Sequence, residues 1–132
     1  LATPVFSNLI SFVANNDNIN PVVVIIVAVA VMTGVGNSAT AGITAAMEAF
    51  ASTFLASGVP AAVIHRAATL TGATLDTLPT NSGVIISLNL TGSNHKEAYK
   101  YIFVNTVLIP SIIVVIYAVL VLVFPGIAAW PI

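Results

Sequence analysis

The chain has 132 residues, of which 58% are hydrophobic and only 5% charged, with a net charge of −1 and a mean hydropathy of +1.08. A soluble domain carries about 25% charged residues, so this composition excludes one and indicates an integral membrane protein. No basic patch invites nucleic acid, and the absence of cysteine excludes disulfide and thiol chemistry.

Residues 1–14 form a short, weakly amphipathic stretch in which Pro4, Ser7 and Asn8 argue against a full span. With no basic n-region and no initiating Met, the start does not resemble a signal peptide, and it reads as the interior of a longer chain. Residues 1–20 are therefore expected to be an interfacial arm, or the end of a helix that begins upstream, followed by a polar loop with Asp17 solvated in it.

Pro21 suits a helix N-terminus and opens the apolar run Val22 to Val35. About 15 residues at 1.5 Å each give roughly 22 Å, short of a hydrocarbon core about 30 Å thick. Gly36, Asn37, Ser38, Ala39 and Thr40 interrupt the run, and residues 41–57 resume it. Two short arms around a polar tip predict a re-entrant hairpin over 21–57. One long, kinked helix is the alternative, and Gly34 and Gly36 favour a true break.

Ser57-Gly58-Val59-Pro60 marks a turn, with Gly58 as a C-cap and Pro60 in the first turn of the next helix. That helix is expected over 60–75. It ends before Pro79, because proline disfavours helical geometry in the residue preceding it. A second polar turn follows, Pro79-Thr80-Asn81-Ser82-Gly83, and an apolar run continues to about Leu90. Residues 60–90 thus read as one transmembrane helix broken in the middle.

Residues 91–100 (TGSNHKEAYK) are the charge-dense stretch, where Ser93 or Asn94 can cap a short interfacial helix. Lys96 and Lys100 assign this segment to the cytoplasm by the positive-inside rule. Residues 101–124 form a full-length span with a kink expected at Pro110. In the tail, 125–132, Trp130 sits where an interface anchor belongs.

Membrane proteins place irregular polar backbone at depth only where protein covers it or where it lines a site. Two such breaks point to a solute site built from interrupted helices. Helices beginning near Thr40 and Gly83 would aim positive ends at the midplane, and Ser38, Thr40, Thr80, Asn81 and Ser82 add neutral hydrogen-bonding groups. Such a set can hold a carboxylate without burying a lone cation. The bland reading is that these residues only cap broken helices. Asp76, beside the second break, is the first candidate for proton coupling and Glu48 the second. Helix capping or an ion pair is the structural alternative for Asp76. His65-Arg66 reads as an interfacial anchor and His95 as a solvated loop residue. No nucleophile–base pair, metal-ligand set or phosphate-binding loop is legible, so neither an enzyme nor a cofactor site is expected.

Three segments carry a family resemblance. Gly36-Asn37-Ser38-Ala39-Thr40 before an Ala-rich helix resembles the hairpin tip of gluconate permeases. Leu78-Pro79-Thr80-Asn81-Ser82-Gly83 resembles their second break. His95-Lys96-Glu97-Ala98-Tyr99-Lys100 resembles the entry to their last span. The chain is similar to the C-terminal part of such a protein. The resemblance implies a proton-coupled carrier of sugar acids or related carboxylates in the ion transporter superfamily, working by an elevator motion. It implies a multi-pass protein of a prokaryotic inner membrane, forming homo-oligomers. It also implies an all-α fold: a re-entrant hairpin, a broken transmembrane helix and a C-terminal transmembrane helix, half of an inverted-repeat transporter. The two helix ends with their hydroxyl and amide groups make Gly36, Asn37, Ser38, Thr40, Thr80, Asn81, Ser82 and Gly83 the candidate binding residues. The other half must come from a companion subunit, a second copy or the rest of a longer chain. Where gluconate permeases tend to carry aspartate, this chain has Asn81, which removes a charge from the site. A non-transporting accessory or assembly subunit and a sodium-coupled carboxylate carrier are the alternative readings.

Overall fold

The computed structural model describes residues 19–124, together with positions 8, 11 and 126. Most of the expected interfacial arm, Asp17 and Trp130 lie outside the described residues. The described part is helical and contains no strand: α1 (Pro21–Gly36), α2 (Ala39–Ala56), α3 (Ala61–Gly72), α4 (Ser82–Leu90), α5 (His95–Phe103), a π-helical turn (Val104–Leu108) and α6 (Ile109–Val123).

Asn20 caps α1, its side chain accepting from the Val22 amide at 2.9 Å, and Pro21 takes the first helical position, where its missing N–H costs nothing. Only Asn37 and Ser38 separate α1 from α2. The two helices pack along each other as a helical hairpin, and α3 packs across both. At 1.5 Å per residue the arms are about 24 and 27 Å long. α2 is long and apolar enough to cross a membrane, whereas α1 is shorter.

The core lies where α1 meets α2, α3 and α6. Val22, Ile25, Ala28 and Val29 of α1 face Ala46, Phe50 and Phe54 of α2 and Val63, Ile64, Ala67 and Ala68 of α3. Lipid tails are as apolar as these side chains, so burial from water does not hold the helices together inside a bilayer; close packing does. Two glycines allow the closest approaches. A methyl group at Gly42 would overlap the backbone and hydroxyl of Thr33 across the hairpin, and one at Gly72 would overlap the Ile43 side chain.

After α2 the chain turns at Gly58, whose φ of 78° is a left-handed conformation suited to glycine. Pro60 stands immediately before α3 as its N-cap. α3 ends at Gly72 and not near residue 75, so the second break occupies residues 73–81. This is longer than the Pro79–Gly83 turn alone. Thr74 is buried and closes the end of α3 by donating its hydroxyl to the Thr71 carbonyl at 2.7 Å. Such a local side-chain bond competes with continued helix.

The last region differs from the expectation of an interfacial helix followed by a separate span. Asn94 caps α5 through the Glu97 amide, and the helix then runs unbroken from His95 to Val123, long and apolar enough to cross a membrane. Pro110 lacks an N–H, and the chain accommodates it upstream with a π turn in which the Ile109 amide reaches the Val104 carbonyl. Asn105 donates to the Tyr101 carbonyl at 2.9 Å and Thr106 to that of Ile102 at 2.8 Å. Side chains thereby satisfy carbonyls where the regular pattern is disturbed. Along α6, Ile109, Ile112, Ile113, Val115, Ile116, Val119, Leu120 and Leu122 remain exposed. A helix this apolar around most of its circumference suits lipid or further protein, not water.

Candidate functional site

Asn37 makes the first turn possible. Its φ and ψ of 52° and 33° are left-handed, a conformation that asparagine tolerates better than most residues and that commonly ends a helix. Ser38 then becomes extended and caps α2, its Oγ accepting from the Ala41 amide at 3.4 Å. The tip therefore consists of one residue that terminates a helix and one that starts the next. Gly36 is the last residue of α1, and Thr40 lies in the first turn of α2.

Asn81 starts α4 in the same manner, its Oδ1 accepting from the Val84 amide at 3.1 Å. Ser82 and Gly83 are the first two residues of α4. The side-chain nitrogen of Asn81 has two hydrogens, and both are donated: to the Asn37 carbonyl at 2.8 Å and to the Asp76 carbonyl at 2.6 Å. In return, Asn37 Nδ2 donates to Thr80 Oγ1 at 3.2 Å. The two breaks, more than forty residues apart in sequence, are thus joined by two hydrogen bonds across the tips. Asn81 serves at once as a helix cap, a brace within its own break and a tie to the hairpin.

The consequence is electrostatic. The N-termini of α2 and α4 come together beside linked capping residues, and neither helix has an acidic residue in its first turn. Their first amides have no partner within the helix, and each end carries a partial positive charge. Thr40, Thr80, Ser82 and Gly83 are exposed around this point, while Asn37, Ser38 and Asn81 are half-buried. An arrangement of amides and hydroxyls without a cation can accept a carboxylate and hydroxyl groups. Asn37 Oδ1 itself is buried with no hydrogen-bond partner, as are the hydroxyls of Thr33 and Thr71.

The two candidate coupling acids are not equivalent. Asp76 lies in the second break, half-buried, with its carbonyl bonded to Asn81. Glu48 lies ten residues beyond Ser38, about 15 Å along α2. It is exposed, in a row with Thr40, Thr44 and Ser52 at intervals of four, a polar stripe on a helix whose other face is the apolar core. Among the described residues no group of three or more His, Asp or Glu could hold a metal ion.

Sequence reasoning missed the groups that hold the second break. His95 is exposed but not simply solvated: its Nε2 lies 3.1 Å from the Pro79 carbonyl, which can only accept, so Nε2 carries the hydrogen. Tyr99 donates to the Thr77 carbonyl at 3.2 Å, and the hydroxyls of Thr77 and Thr106 are hydrogen-bonded to each other. The spacing of His95 and Tyr99 by four residues puts them on one helix face, the only sequence signal for this contact. His65 lines a groove of about 280 Å³ between α2 and α3, with Ile43, Met47, Ala51, Leu55 and Ile64.

Among known proteins, the chain is similar to an uncharacterized transporter, YxjC, of Bacillus subtilis (strain 168), with 32% identity over 111 residues. The match takes in 81% of this chain and 23% of that protein, so the chain spans less than a quarter of the relative's length. No protein-family model and no solved structure matches the chain.

Proposed function

We propose that this chain is the portion of a secondary carrier that binds a small organic anion, a sugar acid or another carboxylate, between the hairpin tip and the second break. The observation that carries the reading is the pair of hydrogen bonds linking Asn37 to Thr80 and Asn81 to Asn37, which bring two helix N-termini to one point. Similarity to an uncharacterized transporter supports a role in transport. The resemblance of the three motifs to gluconate permeases supports the anion, proton symport and an elevator-type motion. In this reading the hairpin is re-entrant. Its arms of about 24 and 27 Å carry the tip into a core about 30 Å thick without crossing it. Gly36, Asn37, Ser38, Thr40, Thr80, Asn81, Ser82 and Gly83 form the half-site, and Asp76 or Glu48 carries the coupled proton. The opposing half comes from the rest of a longer chain, a companion subunit or a second copy. A purely accessory membrane subunit would have no need for two polar breaks bonded to each other at depth.

The test is binding of labelled gluconate and smaller hydroxy acids to the full-length protein reconstituted in liposomes. Ser38→Ala should weaken binding about tenfold, the effect expected when a charge-assisted hydrogen-bonding group is lost, and Asn81→Ala by a similar factor through loss of the tie that holds the two tips together, since both its amide hydrogens are already donated. Unchanged affinity in both variants would reduce the tips to structural caps, and a preference for cationic solutes would overturn the proposal.

A further inference from the structure

The second break has few ties of its own. Its internal bonds include those of Thr74 to Thr71, the Asn81 amide to Leu78 and Asn81 Nδ2 to Asp76. Residues 77–79, between the ends of α3 and α4, are gripped instead from the last long helix. Tyr99 donates to the Thr77 carbonyl, His95 to the Pro79 carbonyl, and Thr106 meets the Thr77 hydroxyl. The direction of the last bond follows from a hydrogen count. The single Thr106 hydroxyl hydrogen is donated to the Ile102 carbonyl, so Thr77 is the donor and Thr106 Oγ1 the acceptor. Thr106 thus does two things at once: it satisfies a carbonyl beside the π turn and presents a fixed acceptor to Thr77. π turns inside otherwise regular helices frequently mark functional positions.

We propose that α5 and the π turn form a clamp that sets the position of the second break against the hairpin tip, with Thr106 and Tyr99 as positioning residues acting through Thr77. Its functional meaning rests on the solute site proposed above. The clamp itself does not, because it fixes where residues 77–82 sit whatever they bind. Thr106→Val keeps the shape of threonine but removes the acceptor together with the bond to Ile102, and Thr106→Ser keeps both.

The chain has no cysteine, so a single reporter can be introduced at half-buried Leu78, inside the gripped segment and outside the proposed solute half-site. In the full-length protein in membranes, with any cysteine elsewhere replaced, Leu78→Cys is labelled with a water-soluble maleimide. A second reporter, Ser57→Cys, sits on the exposed turn at the far end of the hairpin. Adding Thr106→Val should raise the labelling rate at position 78 about fivefold, the factor by which one lost net hydrogen bond shifts a local opening equilibrium. The rate at position 57 should stay the same, and Thr106→Ser should restore the original rate at 78. Tyr99→Phe should act in the same direction and serves if Thr106→Val does not accumulate in the membrane. Unchanged labelling at 78, or an equal rise at both positions, would overturn the clamp. A selective rise at 78, with gluconate binding unaltered in Thr106→Val that carries no reporter, would uphold the clamp and count against the solute site.

Discussion

The hairpin tip turns the chain with two residues, Asn37 and Ser38, whereas the second break extends over residues 73–81. At the tip, each residue does its work locally: Asn37 adopts the left-handed conformation and Ser38 caps the helix that follows. The second break takes its shape from elsewhere, through His95, Tyr99 and Thr106 of the last long helix and through Asn37 of the hairpin. A break encoded by its own residues keeps its geometry when neighbours move. A break held by other helices can change when they do. The pair therefore combines a fixed element with an adjustable one, a combination that would serve the proposed solute site.

Ionisable groups sharpen the contrast most. The tip has none, and the second break contains Asp76. If the adjustable break is where coupling occurs, Asp76→Asn, which imitates the protonated acid, should abolish accumulation driven by a pH gradient while sparing solute exchange. Transport assays in liposomes holding the full-length protein decide this. Accumulation that follows an imposed sodium gradient and ignores pH would assign coupling to carbonyls and hydroxyls at the breaks instead. Retained pH-driven accumulation in Asp76→Asn, with loss in Glu48→Gln, would move coupling to the polar stripe of α2.

Packing offers the next comparison. The hairpin arms approach so closely at Gly42 that an added methyl meets the Thr33 backbone, which cannot move without displacing α1. At Gly72 the added methyl meets the end of the Ile43 side chain, which can rotate. Gly42→Ala should therefore cost about 1–3 kcal/mol, the range for overpacking, and Gly72→Ala about 1 kcal/mol or less, the cost of a displaced rotamer. Thermal melting of the detergent-purified protein measures both. Equal losses would mean that the α2–α3 contact is as rigid as the hairpin.

Much of this was legible in the sequence because it is local. Pro21, the Gly58 turn and the interruption at Asn37-Ser38 each announce themselves through backbone preferences. The capping roles of Ser38, Asn81 and Asn94 follow from the same rule. The position of α3's end was not legible. Thr74 closes the helix with a side-chain bond to Thr71, and threonine at that place reads equally well as helix interior. The continuity of α5 with α6 was hidden because charged residues near 96–100 suggest a boundary, while the backbone simply carries its polar first turns onto a long apolar helix. Least legible was the grip of His95, Tyr99 and Thr106 on residues 77–79, since no periodicity reports a contact between a helix and a distant irregular segment. That the two Asn-containing breaks meet is likewise a tertiary fact, for which the sequence offers only similar composition in two places.

The smallest expected effect tests the claim that the tip is self-sufficient. At Asn37 two contributions can be separated by substitution. Glycine accepts a φ of 52° without a steric penalty, so Asn37→Gly keeps the turn and loses only the bond from Nδ2 to Thr80. It also removes the buried, unpartnered Oδ1, which offsets part of that loss. The net change in stability should be within about 0.5 kcal/mol. Alanine loses the same bond and in addition forces a Cβ into the left-handed region, a penalty of about 1–2 kcal/mol. Melting should therefore rank Asn37→Gly close to the unaltered protein and Asn37→Ala clearly below it. If the two variants fall together by a similar amount, the bond to Thr80 outweighs the backbone conformation. The tip would then depend on the second break as much as the second break depends on it, and the division into a fixed and an adjustable element would fail.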